Sequence, residues 1–531
     1  MADDRRMTGQ INGAQALVAT LAGCGVDVCF ANPGTSEMQL VAAIDRQDSM
    51  RAVLGLFEGV VTGAADGYGR MADKPAMTLL HLGPGLANGL ANLHNARRAG
   101  SPVINVVGDH ATYHLHYNAP LTSDVEAVAR PMSDWLRTSR SGRDLPQAGA
   151  QAWSAASQYP GQVATLIAPA DHAWTEGSAP IARPVLPDVP VTPEASIADI
   201  AGTIRNASGP VAMFLGGRAL RAEALEQAGR IAAATGARLI CETFPARLQR
   251  GTGRVAVERL PYFGEMGAEY LKDFDILICC GCEPPVSFFA YPGKPGWLAP
   301  ENARLLQLAS AGENALDALS RLANMLDAPH QPALIQKAAF PDASASANAN
   351  ESALDANLVG ALLGEFLPEN AIVSDEAATA GLMIFPGTAG ARPHDWLTLT
   401  GGAIGQGLPV AAGAAIACPD RKVIALQADG GGMYTLQALW TIAREQLDVT
   451  TIILNNGSYA ILNIELMRVG VQNPGPKALS MLDLRNPDIS WVSLAEGMGV
   501  PGVKARTVAE LREALEKAFV QNSPELIEVI L

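Results

Sequence analysis

Two short apolar runs in the last quarter of the chain stop at polar residues that could hold a metal and a phosphate. Val423–Gln427 leads into Ala428-Asp429-Gly430-Gly431, and Val449–Leu454 leads into Asn455-Asn456-Gly457-Ser458. The Asp429 carboxylate, the Asn456 side-chain oxygen and a main-chain carbonyl near Ser458 are hard oxygen ligands, suited to Mg²⁺ or Ca²⁺ that also holds phosphate oxygens. Gly430 and Gly431 would open a helix whose free N–H groups and positive end face an anion. Either turn alone is an ordinary Asp-Gly or Asn-Gly turn. An acid and a glycine followed 27 positions later by a paired Asn is a more specific pattern.

The elements that must position these groups follow from the spacing. Met433, Leu436, Leu439, Trp440 and Ile442 repeat at helical intervals between the two β-type runs. Two strands joined by a helix are most simply parallel neighbours with a right-handed crossover, so Asp429 and Asn456 should emerge side by side. That sheet edge is where open α/β sheets bind ligands. The stretch resembles the thiamin diphosphate (ThDP) motif of the acetolactate synthase and decarboxylase superfamily, which begins Gly-Asp-Gly and closes with Asn-Asn. Ala428 replaces the first glycine, a departure that touches backbone freedom and no ligand. The resemblance implies Asp429, Asn456 and Ser458 at the metal, with Gly430 and Gly431 beside the cofactor.

The N-terminal third reads as a doubly wound α/β domain whose polar residues follow strand ends. A helix from Ile11 ending at Gly25 precedes strand Val26–Phe30 and the turn Asn32-Pro33-Gly34-Thr35-Ser36-Glu37. Strand Ala52–Phe57 ends at Glu58 before helix Gly59–Arg70, and strand Ala76–Leu80 ends at His81 before the loop Leu82–Gly85. Helix Leu86–Arg98 carries His94, and strand Pro102–Val107 ends at Gly108-Asp109-His110. Asn32-Pro33-Gly34, Phe57-Glu58-Gly59, Ala65-Asp66-Gly67-Tyr68 and His81-Leu82-Gly83-Pro84-Gly85 resemble pyrimidine-domain segments of benzoylformate decarboxylases and acetolactate synthases. By that resemblance Glu58 is the glutamate that activates the ThDP pyrimidine, Thr35 stands where those decarboxylases use a serine, and His81 matches an active-site histidine. A glutamate in a helix's first turn is otherwise common through the dipole alone. Five of the eight histidines fall between positions 81 and 116. Histidine exchanges protons near neutrality, which makes His116, in the loop Asp109–Asn118, a further catalytic candidate beside a surface or structural role. The loop resembles the paired-histidine segment of pyruvate decarboxylases only loosely, because Tyr117 takes the second place.

Composition bounds the rest. At 531 residues the chain should form about three domains of roughly 150–200 residues. It is 48% hydrophobic and 17% charged, as expected of a compact and oligomeric enzyme, and its formal net charge of −15 argues against nucleic acid or an anionic membrane as partner. The first residues, MADDRRMTGQ, hold no apolar signal core, and no later run reaches the ~18 apolar residues of a membrane span, so the cytoplasm is expected. Seven cysteines do not make a disulfide framework, and Cys279, Cys280 and Cys282 read as buried strand thiols more readily than as zinc ligands.

Pro180–Glu194 reads as a linker. Strands Val211–Leu215, Arg238–Cys241 and Ile276–Cys280 then alternate with helices in a second α/β domain. Some members of the superfamily hold FAD or ADP there, which leaves FAD open for this chain, but Gly216-Gly217-Arg218 is too short for a dinucleotide fingerprint and does not support it. Pro341–Ser352 reads as a second linker. The final third opens with strand Ala371–Val373, followed by Ala378 and Thr379, which could approach the diphosphate. Strand Trp396–Thr400 leads into Gly401-Gly402-Ala403-Ile404-Gly405, where the resemblance makes Ile404 the bulky residue that props ThDP into its bent form.

The resemblance spans the chain and implies an α/β fold of three doubly wound parallel-sheet domains. These are the pyrimidine-binding domain at 1–180, the middle domain at 190–335 and the diphosphate-binding domain at 353–531. It further implies ThDP and Mg²⁺ as cofactors, a small 2-oxo acid as substrate, and active sites between subunits of a homodimer or homotetramer. Decarboxylation followed by carbon–carbon bond formation, as in acetolactate synthases, is the expected reaction. Release of an aldehyde, as in benzoylformate decarboxylases, is the first alternative, and a non-catalytic ThDP-binding protein the second. Benzoylformate decarboxylases place a second histidine in their middle-domain loop, whereas the segment Pro284–Gly293 has none and carries Ala290 or Tyr291 there. Phe288, Phe289 and Tyr291 could contribute apolar contacts to an acceptor or form a structural aromatic cluster.

Overall fold

The computed structural model describes residues 11–339 and 352–531, so residues 1–10 and nearly all of the linker Pro341–Ser352 lie outside it. The chain divides into two compact units, one of residues Met1–Pro187 with Ala412–Ala417 and one of Asp188–Ala411 with Cys418–Leu531. The division falls inside the expected linker Pro180–Glu194.

In the first unit six parallel strands lie in the order Arg51–Leu54, Val28–Asn32, Ala76–Leu80, Val103–Asp109, Val163–Pro169 and Trp135–Thr138. Helices cover both faces, as parallel sheets require, and two separate apolar clusters result. Helix Glu58–Ala72 packs closely on helix Leu82–Ala99. A Cβ on Gly89 would lie 2.9 Å from Thr62 Cγ2, which is why the two helices need small residues where they meet. The expected loop Leu82–Gly85 is the first turn of that second helix. Leu82 takes a left-handed φ of 53° directly after His81, a strained conformation for a side chain-bearing residue.

The second unit holds two sheets. A five-stranded parallel sheet runs Glu258–Arg259, Arg238–Cys241, Val211–Leu215, Ile276–Cys280 and Arg304–Ala309. A seven-stranded sheet runs Leu248–Arg250, His394–Thr398, Ile372–Glu376, Val423–Ala428, Val449–Asn455, Glu525–Ile530 and Gly502–Ala505. Its first strand is antiparallel and comes from the segment expected to belong wholly to the middle domain, with Arg250 opposite His394. Arg250 is buried there, its guanidinium 3.7 Å from the Phe385 ring centroid and donating to the Phe385 carbonyl at 2.9 Å. The remaining strands of this sheet are parallel. The helix expected over Met433–Ile442 is split into Asp429–Gly432 and Ala438–Arg444. Three successive glycines weaken the first turn, and Thr435 turns its hydroxyl to the Gly405 carbonyl at 2.9 Å. Among the described residues no helix is long and apolar enough to cross a membrane.

Candidate cofactor and catalytic site

In the first unit, polar side chains gather where the parallel strands end. Glu58 is the first residue of its helix and buried; the preceding strand ends at Leu54, earlier than the apolar run suggests. Asn88 Nδ2 donates to Glu58 Oε2 at 3.0 Å, and a Cβ on Gly85 would lie 3.2 Å from Glu58 Oε1. The carboxyl is thus held between two helices.

A second acid, given no role by the motifs, follows the neighbouring strand Val28–Asn32. Glu37, fully buried, accepts from the Gly34 N–H at 2.7 Å and from Ser36 Oγ at 2.9 Å. His81 Nδ1 lies 2.8 Å from Glu37 Oε2 and 3.2 Å from Ser36 Oγ. A proton on Nδ1 leaves Nε2 as the nitrogen available for proton exchange. Thr35 is exposed, so the hydroxyl that reaches His81 is Ser36, one residue on. Glu37 stands three residues after Gly34, which is capping-box spacing and was the available signal. Burial, together with the Glu37 charge, pushes the neighbouring Asp109 carboxyl up.

His116 is exposed and stacks on Tyr117 at 3.7 Å between ring centroids. The ring series continues through His114 to His110, so this loop brings its histidines to one another and sets His116 on the surface.

In the second unit, Asp429 and Asn456 do emerge at neighbouring strand ends, with Ala428 paired to Leu454. The backbone of Gly457 ties the two turns together: its N–H donates to Asp429 Oδ2 at 2.8 Å and, within its own turn, to Asn455 Oδ1 at 3.1 Å. Asp429 Oδ1 accepts from Gly430 N–H at 2.8 Å, so this amide, expected to face an anion, is turned to the carboxylate. Burial pushes the Asp429 carboxyl up, while these backbone donors oppose the shift. Asn456 is exposed and its Oδ1 accepts from Ser458 N–H at 2.9 Å. Ser458 Oγ donates to the Leu482 carbonyl at 3.1 Å. Behind this turn, Asn455 Nδ2 donates to buried Glu528 Oε1 at 2.8 Å. One carboxylate on one turn, and one amide oxygen and a main-chain carbonyl on the neighbouring turn, form a donor set whose chemistry fits a hard divalent cation.

Thr379 is partly buried in the first turn of helix Ala378–Gly387, whose first residue has a left-handed φ of 50°. Ile404 is partly buried between Gly402 and Gly405, both at positive φ. A Cβ on Gly402 would lie 2.4 Å from Phe288 Cζ, so the aromatic segment from the five-stranded region rests on this loop. Phe288 packs in turn against Phe244, Tyr262 and Phe289.

The Gly216-Gly217 turn packs against an acid. Glu242 accepts from the Gly217 N–H at 3.1 Å, and burial pushes this carboxyl up to about 7. A Cβ on Gly216 would fall 1.9 Å from Glu242 Oε1. The Gly217 N–H is thus taken by an acid of this chain. Cys279, Cys280 and Cys282 are buried free thiols, and among the described residues no group of three or more His, Cys, Asp or Glu forms a metal site.

The parallel sheets with polar strand ends, the paired Asp429 and Asn456 turns and the buried Glu58 define a class, and comparison with known proteins agrees with it. Residues 11–129 match the N-terminal TPP binding domain of thiamine pyrophosphate enzymes, and residues 386–529 match the C-terminal one. This chain belongs to the thiamine pyrophosphate enzyme family. A Mycobacterium tuberculosis protein, IlvX, provisionally named an acetolactate synthase large subunit, is 52% identical over 98% of this chain and 99% of its own length. A benzoylformate decarboxylase of Pseudomonas aeruginosa is 28% identical over 95% of this chain and 96% of its own length. The Rhodococcus jostii RHA1 thiamine diphosphate-dependent 4-hydroxybenzoylformate decarboxylase superposes with a TM-score of 0.86 at 26% identity, covering 98% of this chain and 99% of that one.

Proposed function

We propose that this chain, with ThDP and Mg²⁺, decarboxylates a small 2-oxo acid and joins the remaining acyl unit to a second carbonyl compound, in the manner of an acetolactate synthase. Bound ThDP supplies a nucleophilic carbon and an electron sink. Asp429, Asn456 and the main-chain carbonyl of Ser458 hold the metal that carries the diphosphate, with Gly430, Gly431 and Thr379 around it. Glu58 would bond the pyrimidine and set its protonation, and Ile404 would support the bound cofactor. Segments 1–180, 190–335 and 353–531 serve as pyrimidine-binding, middle and diphosphate-binding domains. The active sites lie between subunits of a cytoplasmic homodimer or homotetramer.

The choice of carboligation rests on the segment that reaches Gly402. It contributes Phe288 and no histidine, and its one acidic hydroxyl, Tyr291, donates to Glu465 Oε2 at 2.5 Å. That carboxylate pushes the Tyr291 pKa up, so the segment offers apolar walls and no ready proton donor. An acyl unit that is protonated slowly persists for attack on a second carbonyl. The Glu37–His81 pair favours a second reading, aldehyde release as in benzoylformate decarboxylases, because it holds an imidazole ready to carry a proton.

Incubating the protein with 2-oxo acids, with and without carbonyl acceptors, and following CO₂, aldehyde and hydroxyketone separates the two readings. Hydroxyketone or acetolactate-type product should exceed free aldehyde, and Ala290→His or Tyr291→His should shift the ratio toward aldehyde. Near-exclusive aldehyde release by the wild type at saturating acceptor would replace the carboligase reading with the decarboxylase one.

A further inference from the structure

We infer that Glu376 is a positioning residue whose buried carboxylate sets the loop carrying Ile404 against the glycine turn that begins at Asp429. Both segments then hold one geometry before the cofactor arrives. The inference rests on the ThDP reading above and concerns a residue to which that reading gives no role.

Glu376 ends the strand Ile372–Glu376, which lies between strands His394–Thr398 and Val423–Ala428, and is only 3% exposed. Each strand that flanks it runs on into one of the two segments in question. Oε1 accepts from Gly405 N–H at 2.7 Å and Oε2 from Gly407 N–H at 2.5 Å. The Gln406 N–H and the Gln427 side chain also bond it. Burial pushes the carboxyl up, and these donors work against that shift by favouring the ionised form. A row of N–H groups from three consecutive residues is well matched by a carboxylate, whose two oxygens share the donors and whose charge strengthens each bond.

The other side of the same carboxylate faces the diphosphate turn. A Cβ on Gly431 would lie 2.5 Å from Glu376 Oε1 and 2.9 Å from Gln427 Nε2. The acid therefore packs against Gly431, leaving no room there for a side chain. Gly405 is held from two directions, its N–H by Glu376 and its carbonyl by Thr435 Oγ1 at 2.9 Å. Its φ of 95° belongs to glycine, and Ile404 is its immediate neighbour. Fixing Gly405 thus fixes where Ile404 can project. A glutamine in place of Glu376 would keep the shape but turn an NH₂ toward one of the N–H groups, setting donor against donor.

The test uses the full-length protein carrying Glu376→Gln or Glu376→Asp, beside the wild type. Three quantities are followed: ThDP affinity in Mg²⁺, C2 proton exchange of ThDP at saturating cofactor, and amide hydrogen exchange across residues 403–407 without cofactor. Glu376→Gln should speed amide exchange at Gly405 and Gly407. It should also slow C2 exchange and kcat by about 10²-fold, the scale on which a misplacement of about 1 Å acts, with KM for the 2-oxo acid unchanged. Glu376→Asp keeps both oxygens and should recover part of the loss; it carries the same test if the glutamine variant does not fold. Wild-type C2 exchange in Glu376→Gln, or full recovery once ThDP saturates it, would overturn the inference. Absence of C2 exchange in the wild type with ThDP and Mg²⁺ would instead remove the cofactor reading itself.

Discussion

In the first unit the acids after the strands bond largely to other side chains, Glu58 to Asn88 and Glu37 to Ser36 and His81. In the second unit Glu376 and Asp429 are bonded chiefly by the backbone N–H groups of Gly405, Gly407, Gly430 and Gly457. A side-chain partner can rotate, exchange a proton or hand its place to a ligand. A backbone amide in a packed turn cannot swing away or act as an acid or base near neutral pH, and it gives up no rotamer freedom when it bonds. The first arrangement suits groups whose protonation must change, and the second suits groups that must stay in place while a charged ligand is held.

The largest test of this contrast lies in the first unit. Glu58→Gln should leave ThDP affinity nearly intact yet cut C2 proton exchange and kcat by roughly 10²–10⁴-fold, the range of a positioned proton-transfer group. Exchange at the wild-type rate would take Glu58 out of that role. The second unit should respond the other way. Asp429→Ala should weaken metal-dependent ThDP retention by about 10–100-fold, and chelator should release ThDP from the wild type. Tight, metal-independent binding in Asp429→Ala, measured by calorimetry, would break the anchoring half of the comparison.

The smallest expected effect concerns buried histidines away from the sites. His172 in the first unit has the Ser139 hydroxyl at 2.9 Å from Nδ1. His394 in the second is fully buried, with Nδ1 on the Arg392 carbonyl and Nε2 unpartnered among the described residues. Burial, with the Arg250 charge adding to it, holds the His394 pKa down at about 3. A lowered folded-state pKa means stability that is present above the unfolded value near 6.5 and lost as pH falls. At pH 5 the loss from this residue is about 2 kcal/mol. His394→Gln should therefore lose about 2 kcal/mol less than the wild type between pH 7 and pH 5 in urea unfolding. Equal losses would show that His394 carries no such penalty.

Several elements were legible directly. Ala76–Leu80, Val211–Leu215, Arg238–Cys241 and Ile276–Cys280 have the bounds their largely apolar runs suggest, because a strand covered on both faces is mostly apolar and a glycine or polar residue follows it. The neighbouring exits of Asp429 and Asn456 follow from the same logic, since one helical crossover between parallel strands leaves few other topologies. Other features needed the folded chain. Nothing local places Leu248–Arg250 on a sheet whose next strand begins 144 residues later at His394. The helical spacing from Met433 to Ile442 gave no hint that a hydroxyl at Thr435 would bond Gly405 and help split the helix. Glu37 meets His81 across 44 positions, and Glu376 meets Gly405 and Gly407 across 29 and 31. Periodicity reports which face of an element is buried and where the element stops. Which acid then meets which amide depends on the path of loops between distant strands, and that path is set by packing.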